Sequence, residues 1–203
     1  MAQNGQPSTK REYRVMDAPR IPPLPRADWS PEAEEALGKM IAGDDGNPIN
    51  IFATLANHPK MLKRWLVFAA HVLSKSTLPA RDRELLILRT GWRCRAPYEW
   101  GQHVAIGLRS GITEAEIDAI GVGPDHPTWN EFDATLLRAA DELHDDAYIS
   151  DATWATLAAR YSTEQMLDTV AAVGNYTLVS YLLNSCRVAL DPGVDAGALS
   201  NAR

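Results

Sequence analysis

The chain has 203 residues, of which 45% are hydrophobic and 23% are charged, and its formal net charge is -6. This composition predicts one globular domain with a sizeable apolar core. The acidic balance argues against a nucleic acid partner, because such proteins neutralise phosphates with clustered basic side chains. No apolar run reaches the roughly eighteen residues of a membrane span, and residues 1–8 lack the apolar core of a secretory signal, so we expect a cytoplasmic protein with no membrane partner.

The N-terminal residues 1–29 are polar and rich in proline, which predicts an extended arm that is either flexible or wrapped over its own domain or a neighbouring subunit. A single helical domain is expected over residues 30–192, followed by a tail at residues 193–203. The first helix is expected to begin after Ser30, which is a favourable N-cap, and to end at Gly43.

Apolar positions recur every three or four residues along most of the remaining chain, and capping residues, glycines and prolines mark the ends of the periodic segments. The predicted helices cover about 49–56, 60–75, 78–92, 98–109, 113–121, 130–145, 151–161 and 163–189. No segment alternates apolar and polar residues between hairpin turns, so no strand is predicted. The expected fold class is therefore all-α.

Two histidine positions outside the central stretch have simple interpretations. His71 lies beside the apolar face of the 60–75 helix and is predicted to be a hydrogen-bonded or interface histidine. The triplet at residues 144–146, His-Asp-Asp, lacks further ligands at tight spacing, so no metal site is expected.

The stretch 84–103 gathers the side chains best suited to chemistry. Glu99 and His103 are four residues apart, which places them on one helix face as a plausible acid–base pair. Glu84, one helix earlier, is expected to share a proton or a hydrogen bond with this pair. The alternative is an exposed ion pair between Glu99 and His103, with Glu84 paired to a nearby arginine.

Six further side chains near this trio are candidates for a substrate pocket. They are Tyr98, Trp92, Trp100, Arg89, Arg93 and Cys94. The aromatic residues would form pocket walls and the arginines would hold a substrate carboxylate, while the thiol would be reactive if a helix N-terminus and flanking arginines lowered its pKa. The alternatives are plain core packing for the aromatic residues and an unreactive thiol.

The segment from Glu84 to Gly111 resembles the carboxymuconolactone decarboxylase family, whose other branch contains the alkylhydroperoxidase D-like thiol enzymes. The thiol branch has the pattern E-x11-C-x2-C-x3-H. Here Glu84 and His103 match that pattern, whereas Ala96 and Glu99 stand in place of the two cysteines. The resemblance is therefore to the decarboxylase-like branch, and weaker similarity extends over most of residues 30–192.

The resemblance implies an all-helical fold that assembles as a homo-oligomer, such as a dimer, trimer or hexamer. It also implies decarboxylation or a related proton transfer on a small carbonyl or lactone acid, without a cofactor. His103 as imidazolium would then stabilise developing negative charge, and Glu99 would protonate carbon. Two alternatives remain open: a non-catalytic homo-oligomer that binds a small ligand, and a thiol-dependent peroxidase or reductase that uses Cys94 with Cys186 as its resolving thiol.

Overall fold

The computed structural model describes residues 18–38 and 47–199, which contain nine α-helices. The helices are α1 Pro31–Leu37, α2 Asn50–Leu55, α3 Pro59–Ala70, α4 Ala80–Arg93, α5 Pro97–Arg109, α6 Glu114–Val122, α7 Glu131–Asp146, α8 Asp151–Ala158 and α9 Thr163–Cys186. No strand occurs within these two ranges, so the predicted all-α fold class is confirmed. The predicted helix end at Gly43 lies outside the described residues, as do residues 1–17 of the predicted arm and residues 200–203 of the predicted tail.

Helix α4 is the central element of the fold. It packs against α5, α6, α7 and α9, and its residues 85–88 are fully buried. A helix that is covered on all sides cannot direct its polar side chains to water. The polar residues of α4, which include Glu84 and Arg89, must therefore find their partners inside the protein.

Capping side chains fix the starts of several helices at the predicted positions. Thr113 accepts a hydrogen bond from the backbone N–H of Glu116, whose side chain accepts one from the backbone N–H of Thr113. Ser162 and Gln165 form the same reciprocal arrangement at the start of α9. These capping boxes satisfy backbone donors that a helix N-terminus otherwise leaves unpaired.

The described part of the predicted arm runs across its own domain. The backbone N–H of Arg20 donates to the carbonyl oxygen of Cys186 at 2.8 Å, and that of Leu24 donates to the carbonyl oxygen of Ala53 at 2.9 Å. At the other end of the chain, residues 194–199 pack on α5. A β-carbon at Gly101 would lie 2.7 Å from Val194 Cγ1, so this close approach requires glycine.

A π-helical turn, His71–Lys75, follows α3 and is held in place by Asp168 of α9. One carboxylate oxygen of Asp168 lies 2.8 Å from His71 Nε2. The other oxygen accepts hydrogen bonds from the Ser76 hydroxyl and from the backbone N–H and hydroxyl of Thr77. His71 is thus a hydrogen-bonded histidine, as predicted.

Replacing Asp168 by alanine should destabilise the fold, because the donors on Ser76 and Thr77 would lose their shared acceptor. We expect the Asp168→Ala variant to lose roughly 2–4 kcal/mol of free energy of unfolding, measured by urea denaturation. The matched control is Asp118→Ala on the exposed side of α6, which should remain within about 0.5 kcal/mol of the wild type. Equal stability of the two variants would contradict this account of the turn.

Candidate active site

The three residues predicted to handle protons meet between α4 and α5. His103 Nδ1 lies 2.7 Å from Glu84 Oε2, and His103 Nε2 lies 3.0 Å from Glu99 Oε1. Both ring nitrogens of His103 therefore face carboxylates. The three residues are almost completely removed from water, with exposed fractions of 0% for Glu84, 4% for Glu99 and 5% for His103.

Burial of this trio is compatible with its charge because a fourth residue completes the set. The Arg83 guanidinium donates to Glu84 Oε1 from two nitrogens, each at 3.2 Å. With His103 protonated, the two carboxylates are balanced by two cations. Uncompensated buried charge would be far more costly than this neutral cluster. The structure thus brings together all three residues of the predicted trio and adds Arg83 to them.

The two carboxylates hold His103 in its protonated form. Burial lowers the pKa of His103, but the charges and hydrogen bonds of Glu99 and Glu84 outweigh burial and raise this pKa to about 9. At neutral pH the ring is therefore an imidazolium that donates a proton toward each glutamate. Neither ring nitrogen of His103 is free to bind a substrate while both contacts persist.

A cavity of about 470 Å³ opens beside the trio. We call it the α3–α9 cavity, and its volume lies within the range of small-molecule sites. One wall is apolar and comes from α2, α3 and the π turn; it includes Ile51, Phe52, Trp65, Leu66, Ala69 and Leu73. The opposite wall carries most of the polar groups; it includes Tyr98, Glu99, Gln102, His103, Asn175 and Tyr176. Glu84 lies behind His103 and does not line the cavity.

Tyr98 is the only predicted wall aromatic that lines this cavity. Its hydroxyl donates to Asp191 and accepts a hydrogen bond from the backbone N–H of Ile51 at 3.2 Å. Burial, with the neighbouring Asp191, raises the pKa of Tyr98. Trp92 and Trp100 instead pack against each other, with ring centroids 5.1 Å apart, and lie away from the cavity. They serve as core residues at this position.

The two predicted carboxylate clamps also point elsewhere. Arg89 is buried and binds both carboxylate oxygens of Asp141, at 2.6 and 2.8 Å. Arg93 pairs with Asp145 at 2.5 Å. Both acidic partners lie on α7, which contributes no residue to the cavity lining. These arginines therefore fasten α4 to α7 and are not placed to hold a substrate.

Cys94 occupies the C-cap of α4, whereas the N-cap of α5 is Ala96. The thiol therefore lacks the helix N-terminus that was expected to activate it. Its Sγ lies 3.7 Å from His144 Nδ1, and burial raises the pKa of Cys94 above its ordinary value. A raised pKa leaves less thiolate at neutral pH. Cys94 does not line the cavity, and burial raises the pKa of Cys186 as well.

Of the predicted site residues, Tyr98, Glu99 and His103 line the cavity; the lining residues that were not singled out from the sequence include Phe52, Trp65, Asn175 and Tyr176. Trp65 belongs to an apolar stripe that is typical of ordinary core packing, and Asn175 and Tyr176 lie in the long apolar run of α9. Trp65 Nε1 donates to Asn175 Oδ1 at 3.0 Å, which ties α3 to α9 across the cavity. A polar asparagine within a buried apolar helix was the available signal, because buried amides need partners.

The described residues were also compared with the requirements of a metal site and of a membrane span, and they meet neither. No group of three or more His, Cys, Asp or Glu side chains in ranges 18–38 and 47–199 is arranged to hold a metal ion. Within the same ranges, no helix combines the length and the apolar composition needed to cross a membrane.

A known protein-family model matches the part of the chain that contains the site. Residues 59–142 match the family model described as the carboxymuconolactone decarboxylase family, which confirms the resemblance seen in the sequence. This segment contains Glu84, Glu99 and His103. No match was found among curated proteins.

Solved structures with the alkylhydroperoxidase D-like fold resemble the whole domain. An uncharacterised peroxidase-related protein with an AhpD core, from Ralstonia eutropha, superposes with a TM-score of 0.71 at 17% identity, covering 85% of this chain and 93% of its own. A cysteine-to-alanine variant of the debrominase Bmp8, in complex with 2,3,4-tribromopyrrole, superposes with a TM-score of 0.68 at 15% sequence identity. The match covers 87% of this chain and 94% of the debrominase chain. A protein of unknown function from Agrobacterium tumefaciens superposes with a TM-score of 0.63 at 22% sequence identity. The match covers 68% of this chain and 94% of that protein. At these identities the likeness establishes the fold alone.

The protonation of His103 can be measured directly. We expect its imidazole to titrate with a pKa of about 9 in the wild type. The substitutions Glu84→Gln and Glu99→Gln should each lower this pKa, because each removes a negative charge beside the ring. Carbon-detected imidazole resonances followed against pH by NMR, assigned with a His103→Gln variant, provide the measurement. A wild-type pKa near 6.5 would contradict the ion-paired geometry.

The same ion pairs predict a pH dependence of stability. The folded-state pKa of His103, about 9, exceeds the ordinary value of 6.5, so the folded protein binds the proton more tightly. The stabilisation is therefore complete below about pH 6.5 and is lost as the pH rises through about 9. Urea denaturation between about pH 6 and about pH 9.5 should show a larger loss of unfolding free energy in the wild type than in His103→Gln. Parallel curves would show that His103 does not carry this linkage.

Proposed function

On the basis of the match to the carboxymuconolactone decarboxylase family, we propose that this protein catalyses proton transfer on a small carbonyl or lactone compound, as an isomerase or lyase does. The observation that carries the proposal is the position of Glu99. Its carboxylate lines an apolar cavity while it is ion-paired with a buried imidazolium. A carboxylate held in an apolar site next to a proton donor is suited to general acid–base catalysis.

Glu99 is proposed as the group that exchanges a proton with carbon. Its carboxylate takes a proton from the carbon next to the carbonyl group, and the electron pair of the broken C–H bond forms the enolate. The neutral carboxylic acid then returns the proton to the same carbon or to a conjugated one. In a lyase version, departure of carbon dioxide leaves the enolate, and protonated Glu99 delivers the proton.

His103 and Glu84 support this step from behind. The imidazolium stabilises the Glu99 carboxylate before the first transfer and again after the second, and in the lyase version it supplies the proton that Glu99 delivers. Glu84 fixes the ring through Nδ1, and Arg83 balances the charge of Glu84. This assignment differs from the role expected from the sequence, in which His103 itself faced the substrate, because both of its nitrogens already contact carboxylates.

The non-catalytic alternative, in which the protein only binds a small ligand, uses the same cavity. Hydrogen–deuterium exchange of a bound ligand distinguishes it from the catalytic proposal. Neither the position nor the pKa of Cys94 favours the thiol-dependent alternative. The Glu99 carboxylate lines the polar wall of the cavity, whereas neither Cys94 nor Cys186 lines the cavity.

Self-association is also proposed. Exposed apolar side chains lie on two helices that neighbour each other, α3 and α9, which are joined by the Trp65–Asn175 hydrogen bond. They include Val67, Phe68, Leu167, Leu178 and Tyr181, and Val67 is 74% exposed. Exposed large apolar side chains on neighbouring helices are typical of contacts between subunits. They support the expected homo-oligomer without fixing its subunit number.

Hydrogen–deuterium exchange tests the proposed chemistry without knowledge of the natural substrate. A panel of small ketones and lactones, including 2-tetralone, cyclohexanone and δ-valerolactone, is incubated with the protein in D₂O and followed by NMR. We expect catalysed exchange of the protons next to the carbonyl group for at least one panel member. The variant Glu99→Gln should reduce that exchange by roughly 10²- to 10⁴-fold, which is the range of general acid–base contributions.

The matched control is Glu114→Gln on the exposed face of α6, which should exchange as the wild type does. A panel member that binds tightly but does not exchange above the rate in buffer would argue for the non-catalytic alternative. Full exchange in Glu99→Gln would remove Glu99 from the mechanism.

A further inference from the structure

Two hydrogen-bond donors on the polar wall of the α3–α9 cavity have no partner among the residues that the structure describes. Tyr176 is 6% exposed, and its ring packs edge-on against His103 with centroids 4.9 Å apart. Its hydroxyl makes no hydrogen bond to the residues of ranges 18–38 and 47–199. Because buried tyrosine hydroxyls usually find a partner, this one is available to a ligand.

Asn175 supplies the second donor, and its orientation is determined. The indole N–H of Trp65 can only donate, so the amide oxygen of Asn175 must face Trp65 and the amide NH₂ must face away. That NH₂ forms no hydrogen bond within the described part of the chain. Asn175 is 4% exposed and lines the cavity, and its amide nitrogen is not one of the fully enclosed polar atoms without a partner, so this donor can be reached from the cavity.

Among the described residues, no unpaired cation accompanies these donors. The described lining residues include no lysine and no arginine, and the one cation among them, the His103 imidazolium, is already paired with Glu84 and Glu99. Arg83 is occupied by Glu84, and the two predicted clamps, Arg89 and Arg93, bind acidic residues of α7. The ionised group nearest to a bound ligand is the Glu99 carboxylate, and the rest of the lining is largely apolar. An anionic ligand would therefore lose its hydration and face a like charge.

We propose that the α3–α9 cavity binds an uncharged, mainly apolar ketone or lactone, whose carbonyl oxygen accepts hydrogen bonds from the Asn175 amide and the Tyr176 hydroxyl. The inference rests on the proposed function in that Glu99 acts on the C–H bond next to this carbonyl. It narrows the substrate class, because the family resemblance in the sequence implied a lactone acid, whereas the described cavity lining offers a carboxylate no unpaired cation. Of the two versions of the proposed function, it therefore keeps the isomerase version and not the loss of carbon dioxide.

The donors fit the proposed proton transfer. When Glu99 removes the proton, the C–H electron pair forms a carbon–carbon double bond and the carbonyl π electrons move onto oxygen. Negative charge therefore develops on the atom that Asn175 and Tyr176 would contact, where fixed donors in a dry site are most effective. The proton then returns from Glu99 to carbon, and nothing is oxidised or reduced.

Three probes of one shape test the ligand class: 2-tetralone, tetralin and tetralin-2-carboxylate. Dissociation constants are measured at pH 7.5 by isothermal titration calorimetry on the full-length protein. We expect 2-tetralone to bind at least about tenfold more tightly than either other probe, because tetralin lacks the acceptor and the carboxylate meets Glu99 without a cation.

Variants assign the effect to residues. Tyr176→Phe and Asn175→Leu should each weaken 2-tetralone binding and leave tetralin binding unchanged. Trp65→Phe removes the same Trp65–Asn175 hydrogen bond but keeps the amide; because Trp65 also lines the cavity, the comparison is the ratio of the two probes, and 2-tetralone should still bind more tightly than tetralin in this variant. Glu99→Gln should strengthen binding of tetralin-2-carboxylate, because it removes the repelling charge and keeps the shape of the side chain.

The outcomes separate this inference from the proposed function. Failure of bound 2-tetralone to exchange protons would contradict catalysis while the binding preference stands. Tighter binding of the carboxylate, equal binding of all three probes, or no binding of 2-tetralone would overturn the inference whatever the exchange experiment gives.

Discussion

The structure depends on one buried ion cluster, in which the His103 imidazolium lies between the carboxylates of Glu84 and Glu99. A single buried carboxylate without a partner would be neutralised or would destabilise the core. Here Glu84 comes from α4 and the other two residues from α5, so the cluster also links the two helices. The cost of burying each charge is offset only when α4 and α5 keep this relative position. The geometry of the site and the packing of the two helices therefore depend on each other.

The cluster divides its members by depth. Glu84 is fully buried and is held by Arg83 as well as by His103, whereas Glu99 has one face toward the α3–α9 cavity. Glu99 and His103 both reach the cavity, but both ring nitrogens of His103 already contact carboxylates, so the proposed contact with the substrate falls to Glu99 and the supporting roles to the other two. The opposite wall, from α2, α3 and the π turn, contributes mainly apolar surface. A small molecule in this cavity therefore meets ionised chemistry on one side only.

Sequence reasoning succeeded where the determining interactions are local. Helix starts were predictable at Thr113 and Ser162 because capping boxes span only three residues. The Glu99–His103 pairing follows from a spacing of four on one helix. By contrast, Arg89 and Arg93 find their acidic partners 52 residues later on α7, and no local pattern indicates that pairing. The role expected for Cys94 required this residue to lie at the N-terminus of α5. It lies instead at the C-cap of α4, and the N-cap of α5 is Ala96.

The apolar cavity wall illustrates a different limit. The spacing of apolar residues along α3 correctly marks a face turned inward, but a face toward a cavity and a face toward a packed core have the same period. Whether the apolar face of α3 meets a cavity or a packed core is decided by contacts that are distant in sequence. One of these contacts joins Trp65 to Asn175, which lies 110 residues later in the chain. Polar residues inside apolar helices are therefore the more informative signal for a cavity than the apolar residues that surround them.

The residue at position 99 has the largest consequence for the chemistry of this fold. In the thiol pattern to which the sequence was compared, the second cysteine stands four residues before the histidine, and here that position is Glu99. A thiol there would leave His103 with Glu84 as its only carboxylate partner, and the pKa of His103 would be lower. The glutamate instead adds a second negative charge, holds the ring protonated and places a carboxylate at the cavity. One side chain at this position thus replaces a thiol by a carboxylate within the same helical fold, and the proposed acid–base chemistry depends on that replacement.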